Sequence, residues 1–383
     1  MIKIKKSVFI LGVVLIGGMS GIIFDRYLFP RMIATKFFSR YAFFKKTAED
    51  VTIINKTEQV FVKEDASVNK IANQVVSSVV NIVSFTTEMS GNKKNSISQP
   101  EIKNGTGVVV TSDGLVMTYV KAIFSEKATY KIITSDNRVY DASLVDIDSY
   151  SNLAFLKITA SNLPAISLGN SDEAVAGEKI IAIGNNSGTY NPFFSAGILG
   201  NLDQAYSLSD SSIALSEKLE GVFRTDLNNE ENYVGGPVVD YSGQVIGITG
   251  SVSHDGKNFF FQIPANKVKA VIDKEIKKEL DTNPSLGVYY RTITKAYALA
   301  NNLPVEFGAQ IYSPSGQSEL AILKNSPAAG AGLKLNDIIT AISGEKIDGA
   351  YSLPDLLYRH KKGETVILTI LRNNQEMEIN VQL

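Results

Sequence analysis

Cleaving an acyl bond by direct attack takes a nucleophile, a base to accept its proton, a group that orients the base, and donors for the developing oxyanion. Few side chains in this sequence suit those roles. There is no cysteine, which excludes a thiolate nucleophile, a cysteine-bound metal and any disulfide. Only two histidines occur, His254 in the turn-like stretch SVSHDGKNF and His360 in LLYRHKKGE at a helix end. Both read as surface residues. Two isolated histidines do not make an H-E-x-x-H zinc pair, and no G-x-G-x-x-G or Walker loop is present to cradle phosphates. The glycines of GNSDEAVAGEKIIAIGNNSG read as turns between strands. The sequence therefore calls for no cofactor and no metal. One strip stands out, ENYVGGPVVDYSGQVIGITG at 231–250, in which Gly235-Gly236-Pro237 leads into a strand. Val234 stands directly before it, with no lone pair to attack with and no proton to lose.

The elements that would position this strip are mostly strands. The chain has 383 residues, which fits two or three domains, and it is 44% hydrophobic and 20% charged. Its net charge of −1 argues against a nucleic-acid partner. From about Val68 to Lys277, short apolar runs alternate with turn signals. GTGVVVTSDGLVMTYV (105–120) is a hairpin around Ser112-Asp113-Gly114, and YKIITSDNRVYDASLVDID (130–148) repeats the logic around Asp136-Asn137. LAFLKI (153–158), KIIAIGN (179–185), SAGILGNL (195–202), GVFRTDL (221–227) and PVVDYSGQVIGITG (237–250) continue the series. Strands at this spacing, without long helices between them, indicate a barrel or sandwich. A helix is expected over 67–80 with Ser67 as N-cap, and a second over 264–280.

The order of these pieces resembles the HtrA/Deg family, membrane-anchored or secreted bacterial proteases in which a trypsin-like double barrel precedes PDZ domains. The resemblance rests on VNKIANQVVSSVVNIVSF, on GTGVVVTSDGLVMT, on NLAFLKI and on TDLNNEENYVGGPVVDYSGQVIGI, and it covers 67–383. It implies a mainly β fold, a trypsin-like double β-barrel over 67–277 followed by an α+β PDZ domain over 280–383. It also locates the catalytic positions. The family's histidine falls on Lys121 in VMTYVKAIF, its aspartate on Asn152, and its serine on Val234. A desolvated lysine can act as a base, but an amide stabilises an imidazole poorly and valine is no nucleophile. The family's oxyanion hole falls on Asn232, Tyr233 and Val234. Asn232 replaces a glycine there, Glu230 and Glu231 add charge that disfavours an anion, and Tyr233 is expected to add bulk beside the cleft. The reading is a pseudoprotease with no intact catalytic residue. The family's own activity, serine endopeptidase, is the alternative; so is an inactive regulatory subunit of an active paralogue in a homo- or hetero-oligomer, since members commonly form trimers.

SLGVYYRTITKAY…INVQL (285–383) resembles an HtrA/Deg PDZ domain, most specifically through SPAAGAGLKLNDIITAISGEKI (326–347). Such domains add a peptide as a strand beside an edge strand while a nearby loop captures its terminal carboxylate. The resemblance places that loop and strand at Ser285, Leu286, Gly287, Val288 and Tyr289. It places the opposite wall on the helix from Leu353 to His360, through Leu353, Leu356 and Leu357. Ser352 and Asp355 have the spacing of a capping box. A domain that only packs against the barrel is the other reading of this stretch.

The N-terminus, MIKIKKSVFILGVVLIGGMSGIIFDRYLFP, has lysines at 3, 5 and 6 before an uncharged run from Ser7 to Phe24. As a helix that run spans ~27 Å, near the ~30 Å of a hydrocarbon core, and no A-x-A-like cleavage site follows it. It is expected to be an uncleaved anchor over 7–24, with 1–6 a cytoplasmic tail and 25–66 a juxtamembrane linker. The stretch RMIATKFFSRYAFFKK (31–46) reads equally as a membrane-surface segment or as a solvated linker, and the basic residues after the span leave orientation unsettled by charge. The family resemblance implies that the domains lie outside the cytoplasm, on the periplasmic or cell-surface side. The protein is thus expected to bind extended or C-terminal peptides, or unfolded segments, as a scaffold, chaperone-like or regulatory component of envelope protein quality control.

Overall fold

The computed structural model describes residues 6–24, 28, 71, 74–86, 100–125, 127–186, 188–209, 213–228, 230–254, 256–317 and 320–383. The chain divides into two compact units, Met1–Asn69 and Lys70–Leu383. In the first, α1 (Lys6–Ile23) follows the apolar run of the sequence. Its apolar part, from Ser7, is ~26 Å long, short of a ~30 Å core. No helix among the described residues is long and apolar enough to cross a membrane. The linker expected over 25–66 lies almost wholly outside the described residues.

The second unit begins with six strands, β1 (Val79–Thr86), β2 (Ile102–Val109), β3 (Leu115–Tyr119), β4 (Ala128–Ile133), β5 (Val139–Ile147) and β6 (Leu153–Ile158). They close antiparallel in the order β1-β2-β3-β6-β5-β4. Gly114 at φ +99° and Asn137 at φ +60° make the two hairpin turns the sequence marks; these are backbone angles that glycine and asparagine adopt at least cost. Val80, Ile82, Val116, Ile132 and Leu156 fill the interior.

Seven further strands follow, β7 (Lys179–Gly184), β8 (Phe193–Ser207), β9 (Ala214–Leu215), β10 (Glu220–Thr225), β11 (Pro237–Asp240), β12 (Val245–His254) and β13 (Lys257–Pro264). All but β9 close a second barrel in the order β10-β13-β12-β11-β7-β8. Its core holds Ile180, Ala182, Phe223, Tyr233 and Val238. The helix α2 (Ala265–Ile276) packs onto it through Val268, Val271 and Ile272.

Two helix expectations change. Val79 and Val80, expected to be helical, open β1, because Val79 pairs with Val108 across to β2; β-branched residues gain more from that pairing than from a helix. Ser67, the expected N-cap, lies outside the described residues. The second helix stops at Ile276 instead of 280, and Lys278 turns left-handed at φ +58°.

The last part contains β14 (Tyr289–Ile293), α3 (Lys295–Ala300), β15 (Gly308–Ile311), α4 (Pro327–Gly330), β16 (Ile338–Ile342), β17 (Glu345–Lys346), α5 (Leu353–Tyr358), β18 (Thr365–Arg372) and β19 (Gln375–Gln382). Its sheet runs β19-β18-β16-β15-β14-β9, with β17 on β16. The edge strand β9 is therefore contributed by the connection between β8 and β10 of the second barrel. The capping box forms as expected, Ser352 and Asp355 each bonding the other's backbone amide, and α5 ends two residues before His360.

A polar seam joins this domain to the barrels. Asp355 accepts from the Tyr150 hydroxyl at 2.5 Å and from Lys267 Nζ at 2.8 Å. Tyr150 stacks on Tyr358 with ring centroids 4.1 Å apart. Glu220, fully buried at the start of β10, accepts from the Tyr290 hydroxyl at 2.7 Å and from the Thr292 hydroxyl, both on β14. Burial pushes the Glu220 carboxyl up to about 7, against those hydrogen bonds.

Candidate functional site

The three positions matching a catalytic triad lie on neighbouring segments between the barrels. Lys121 sits in a single 3-10 turn, Val120–Ala122, directly after β3. The Val120 amide donates to the Asn152 carbonyl at 3.0 Å, which ties Lys121's turn to the residue ahead of β6. Gly235, at φ +83°, lies against β3, since a Cβ there would meet Thr106 O and Thr118 Oγ1 at 2.3 Å. That close approach is why a glycine follows Val234.

The three side chains have the following surroundings. Lys121 Nζ donates to Ser253 Oγ at 2.8 Å, and Ser253 in turn donates to Asn258 Oδ1 at 2.6 Å. Lys103 lies close enough that, after burial, Lys121's charge is the second cause holding its ammonium below the ordinary lysine range. Asn152 adopts φ +60°, accepts from Lys218 Nζ at 3.3 Å, and its amide nitrogen lies 3.5 Å from the Tyr119 hydroxyl. Val234 is buried.

The oxyanion-hole positions differ from expectation in one respect. Tyr233 does not fill the cleft. It is buried in the second barrel's core, edge-on to Phe193 at 5.3 Å between centroids, because the 3-10 turn Glu230–Tyr233 swings it inward. The same turn directs the Val234 amide at the Glu231 carbonyl, 3.4 Å away. The Gly235 amide donates to Thr249 O at 2.8 Å and the Gly236 amide to Tyr233 O at 2.7 Å. Of the expected oxyanion-hole donors, the Val234 amide thus has an internal acceptor, as do the two amides that follow it. Asn232 and Glu231 are exposed. His360 Nδ1 lies 2.8 Å from Glu364, just beyond the end of α5, and His254 ends β12.

The second candidate site is the groove between β14 and α5. Leu286 and Val288 are fully buried, as are Leu353, Leu356 and Leu357 of α5. Gly287, at φ +78°, passes so close to Ser326 that a Cβ would lie 2.3 Å from Ser326 Cβ. Its loop therefore requires glycine. The groove is occupied by the chain's own residues 214–217. Leu215 and Ala214 pair antiparallel with Tyr289 and Tyr290, and the Ser216 amide donates to Val288 O at 3.0 Å. One oxygen of Glu217, Oε1, accepts from the Leu286 amide at 2.8 Å, the Gly287 amide at 2.7 Å and the Ser285 hydroxyl at 3.1 Å. Ser216 Oγ accepts from the Val288 amide at 3.1 Å and donates to the same Glu217 oxygen at 2.8 Å.

Ser216, Glu217 and Ser253 were not legible in the sequence. IALSE reads as an ordinary loop between strands; three apolar residues, then a serine and an acid, are its only local signal.

Comparison with known proteins agrees with this architecture. The trypsin-like peptidase domain family matches residues 105–248 and the PDZ domain family matches 284–383. The chain is 29% identical over 292 residues to the serine protease Do-like HtrA of Lactobacillus helveticus, covering 73% of this chain and 66% of that one. It is 28% identical over 305 residues to a DegP-like periplasmic serine endoprotease of Brucella suis, covering 77% of this chain and 56% of that one. The chain spans about half to two thirds of the length of the curated relatives it matches. Among solved structures, the HtrA-type protease AlgW with a decapeptide aligns with a TM-score of 0.58 at 22% identity, over 82% of this chain and 96% of that one. AlgW with a tripeptide gives 0.60 at 24% identity, over 82% and 95%. This is a likeness of fold.

Proposed function

We propose that this chain, a trypsin-like peptidase domain followed by a PDZ domain with HtrA and DegP-like relatives, binds peptides without cutting them. The carrying observation is the group at the serine position. Val234 is buried and its amide is directed at Glu231, so neither a nucleophile nor an oxyanion donor is on offer there. In a related mechanism, loss of the triad lowers kcat by ~10⁶, and the oxyanion hole supplies much of what remains. Here both are compromised. The function then rests with the PDZ groove, where Ser285, Leu286, Gly287, Val288 and Tyr289 receive a strand and its carboxylate, and Leu353, Leu356 and Leu357 support the facing helix. The solved relatives hold a decapeptide and a tripeptide, which supports a peptide ligand for this domain too.

The protein would act as a scaffold, chaperone-like or regulatory component of envelope protein quality control, tethered through residues 7–24, alone or as an inactive partner of an active paralogue in a trimer. The DegP-like relatives are named as periplasmic, which supports placing its domains outside the cytoplasm.

One observation favours the second reading, a serine endopeptidase. Lys121 and Ser253 are hydrogen-bonded, and serine–lysine pairs do catalyse acyl transfer. The test is turnover of an unfolded protein by the wild type, Lys121→Ala and Ser253→Ala. No cleavage above blank by any of them is expected. Cleavage by the wild type that either variant loses would overturn the non-catalytic reading.

A further inference from the structure

We infer that residues 214–217 are a built-in ligand of the PDZ groove, with the Glu217 side chain standing where a peptide's terminal carboxylate would stand, so that carboxylate-ended peptides bind only by displacing it. The inference rests on the peptide-binding reading above and adds the occupant of the site. Three features of strand addition are present together. The incoming strand is antiparallel to β14 and continues its sheet. Main-chain pairing extends past the strand, through the Ser216 amide to Val288 O at 3.0 Å. A carboxylate then meets consecutive amides of a glycine-containing loop, Leu286 and Gly287, at 2.8 and 2.7 Å. Hydrogen bonds to an ionised acceptor are stronger than neutral ones, and these donors would otherwise face solvent or a ligand. Ala214 is buried in the PDZ core cluster, as a ligand side chain would be.

The physical consequence is competition within one molecule. A segment tethered to its groove acts at a high effective concentration, so a free peptide sees only the small fraction of molecules whose groove is empty. Weakening the internal ligand raises that fraction without touching the groove. Glu217→Ala removes the carboxylate and leaves Ser285–Tyr289 intact, so apparent affinity for an external peptide should rise at least about tenfold. The expected ligand is a peptide with an apolar residue near its end and a free C-terminal carboxylate. A peptide ending in an amide cannot replace Glu217.

The experiment uses the full chain, as wild type and Glu217→Ala, with a labelled decapeptide carrying the sequence of residues 207–216 and a free carboxylate at its end. The same peptide ending in an amide is the control. Binding is read by fluorescence anisotropy, and hydrogen exchange of the Leu286 and Gly287 amides is read in the absence of peptide. Tighter binding of the acid peptide by Glu217→Ala, with the two amides exchanging faster than in the wild type, is the expected result. Equal affinity in both proteins would overturn the internal ligand while leaving the peptide-binding reading in place. No peptide bound by either protein, yet protection of the two amides lost in Glu217→Ala, would support the internal ligand and sink the peptide-binding reading. Unchanged exchange in Glu217→Ala would overturn the inference whatever the peptide does.

Discussion

Glu220 gives a pH dependence that can be worked out from its surroundings. Burial pushes its carboxyl up to about 7, while the unfolded chain returns it to its ordinary 4.5. Between those values the folded state holds a proton that the unfolded state has lost. Stability is therefore greatest below the unfolded value and falls as pH rises through the folded one. At ~1.4 kcal/mol per pH unit, the full effect is ~3 kcal/mol, with ~2.5 kcal/mol of it developing between pH 5 and pH 8. The group is fully buried, so solvent screening does not reduce this much. Other groups titrate over the same range, and the comparison must isolate Glu220. Glu220→Gln does so, because a neutral amide of nearly the same shape cannot ionise; one of the hydroxyls of Tyr290 and Thr292 meets its NH₂ instead of an oxygen, a cost that does not vary with pH. Urea unfolding of both proteins at pH 5, 6, 7 and 8 is the assay. The wild type should lose ~2–3 kcal/mol relative to Glu220→Gln over that range. A difference that stays flat with pH, or grows in the wild type's favour, would refute the assignment of Glu220 as a buried acid protonated near neutrality. The site lies on β10 against β14, so the loss reports on the seam between the second barrel and the PDZ domain.

Val234→Ser should yield no detectable peptidase activity, because Lys121 Nζ is engaged with Ser253 Oγ and the amide of residue 234 is directed at Glu231; burst kinetics with an activated ester checks this. Gly235→Ala puts a Cβ 2.3 Å from Thr106 O and Thr118 Oγ1 at φ +83°. The backbone angle alone costs about 1–2 kcal/mol and the overlap adds to it, so a loss above about 2 kcal/mol, or failure to fold, is expected in thermal unfolding. Asp355→Ala leaves the largely buried Lys267 without its carboxylate partner and removes half of a capping box. Breaking one side of a buried pair typically costs about 3–5 kcal/mol, and denaturant unfolding should show a loss of that order, smaller when Lys267→Met is present as well.

The sequence by itself determined the element types over most of the two barrels and the PDZ domain, because the signals are local. Apolar runs of strand length, Asp113-Gly114 and Asp136-Asn137 at the turns, and Ser352 with Asp355 at a helix start depend on neighbours only a few residues away. It also determined which chemistry is missing at the strip, since a valine carries no nucleophile in any fold. Where sequence reasoning failed, a distant partner decided. Val79 and Val80 left the helix because β2 pairs with them. Tyr233 turned into the second barrel because Phe193 and that barrel's core receive it, and its turn took the Val234 amide along. Only the tertiary structure could decide that the groove is filled. Glu217 and the amides of Leu286 and Gly287 stand about seventy residues apart, and no periodicity or turn signal links a loop of one domain to the binding edge of another. Pairing across that distance depends on the whole seam from Tyr150 to Asp355, and that seam exists only once both domains have folded.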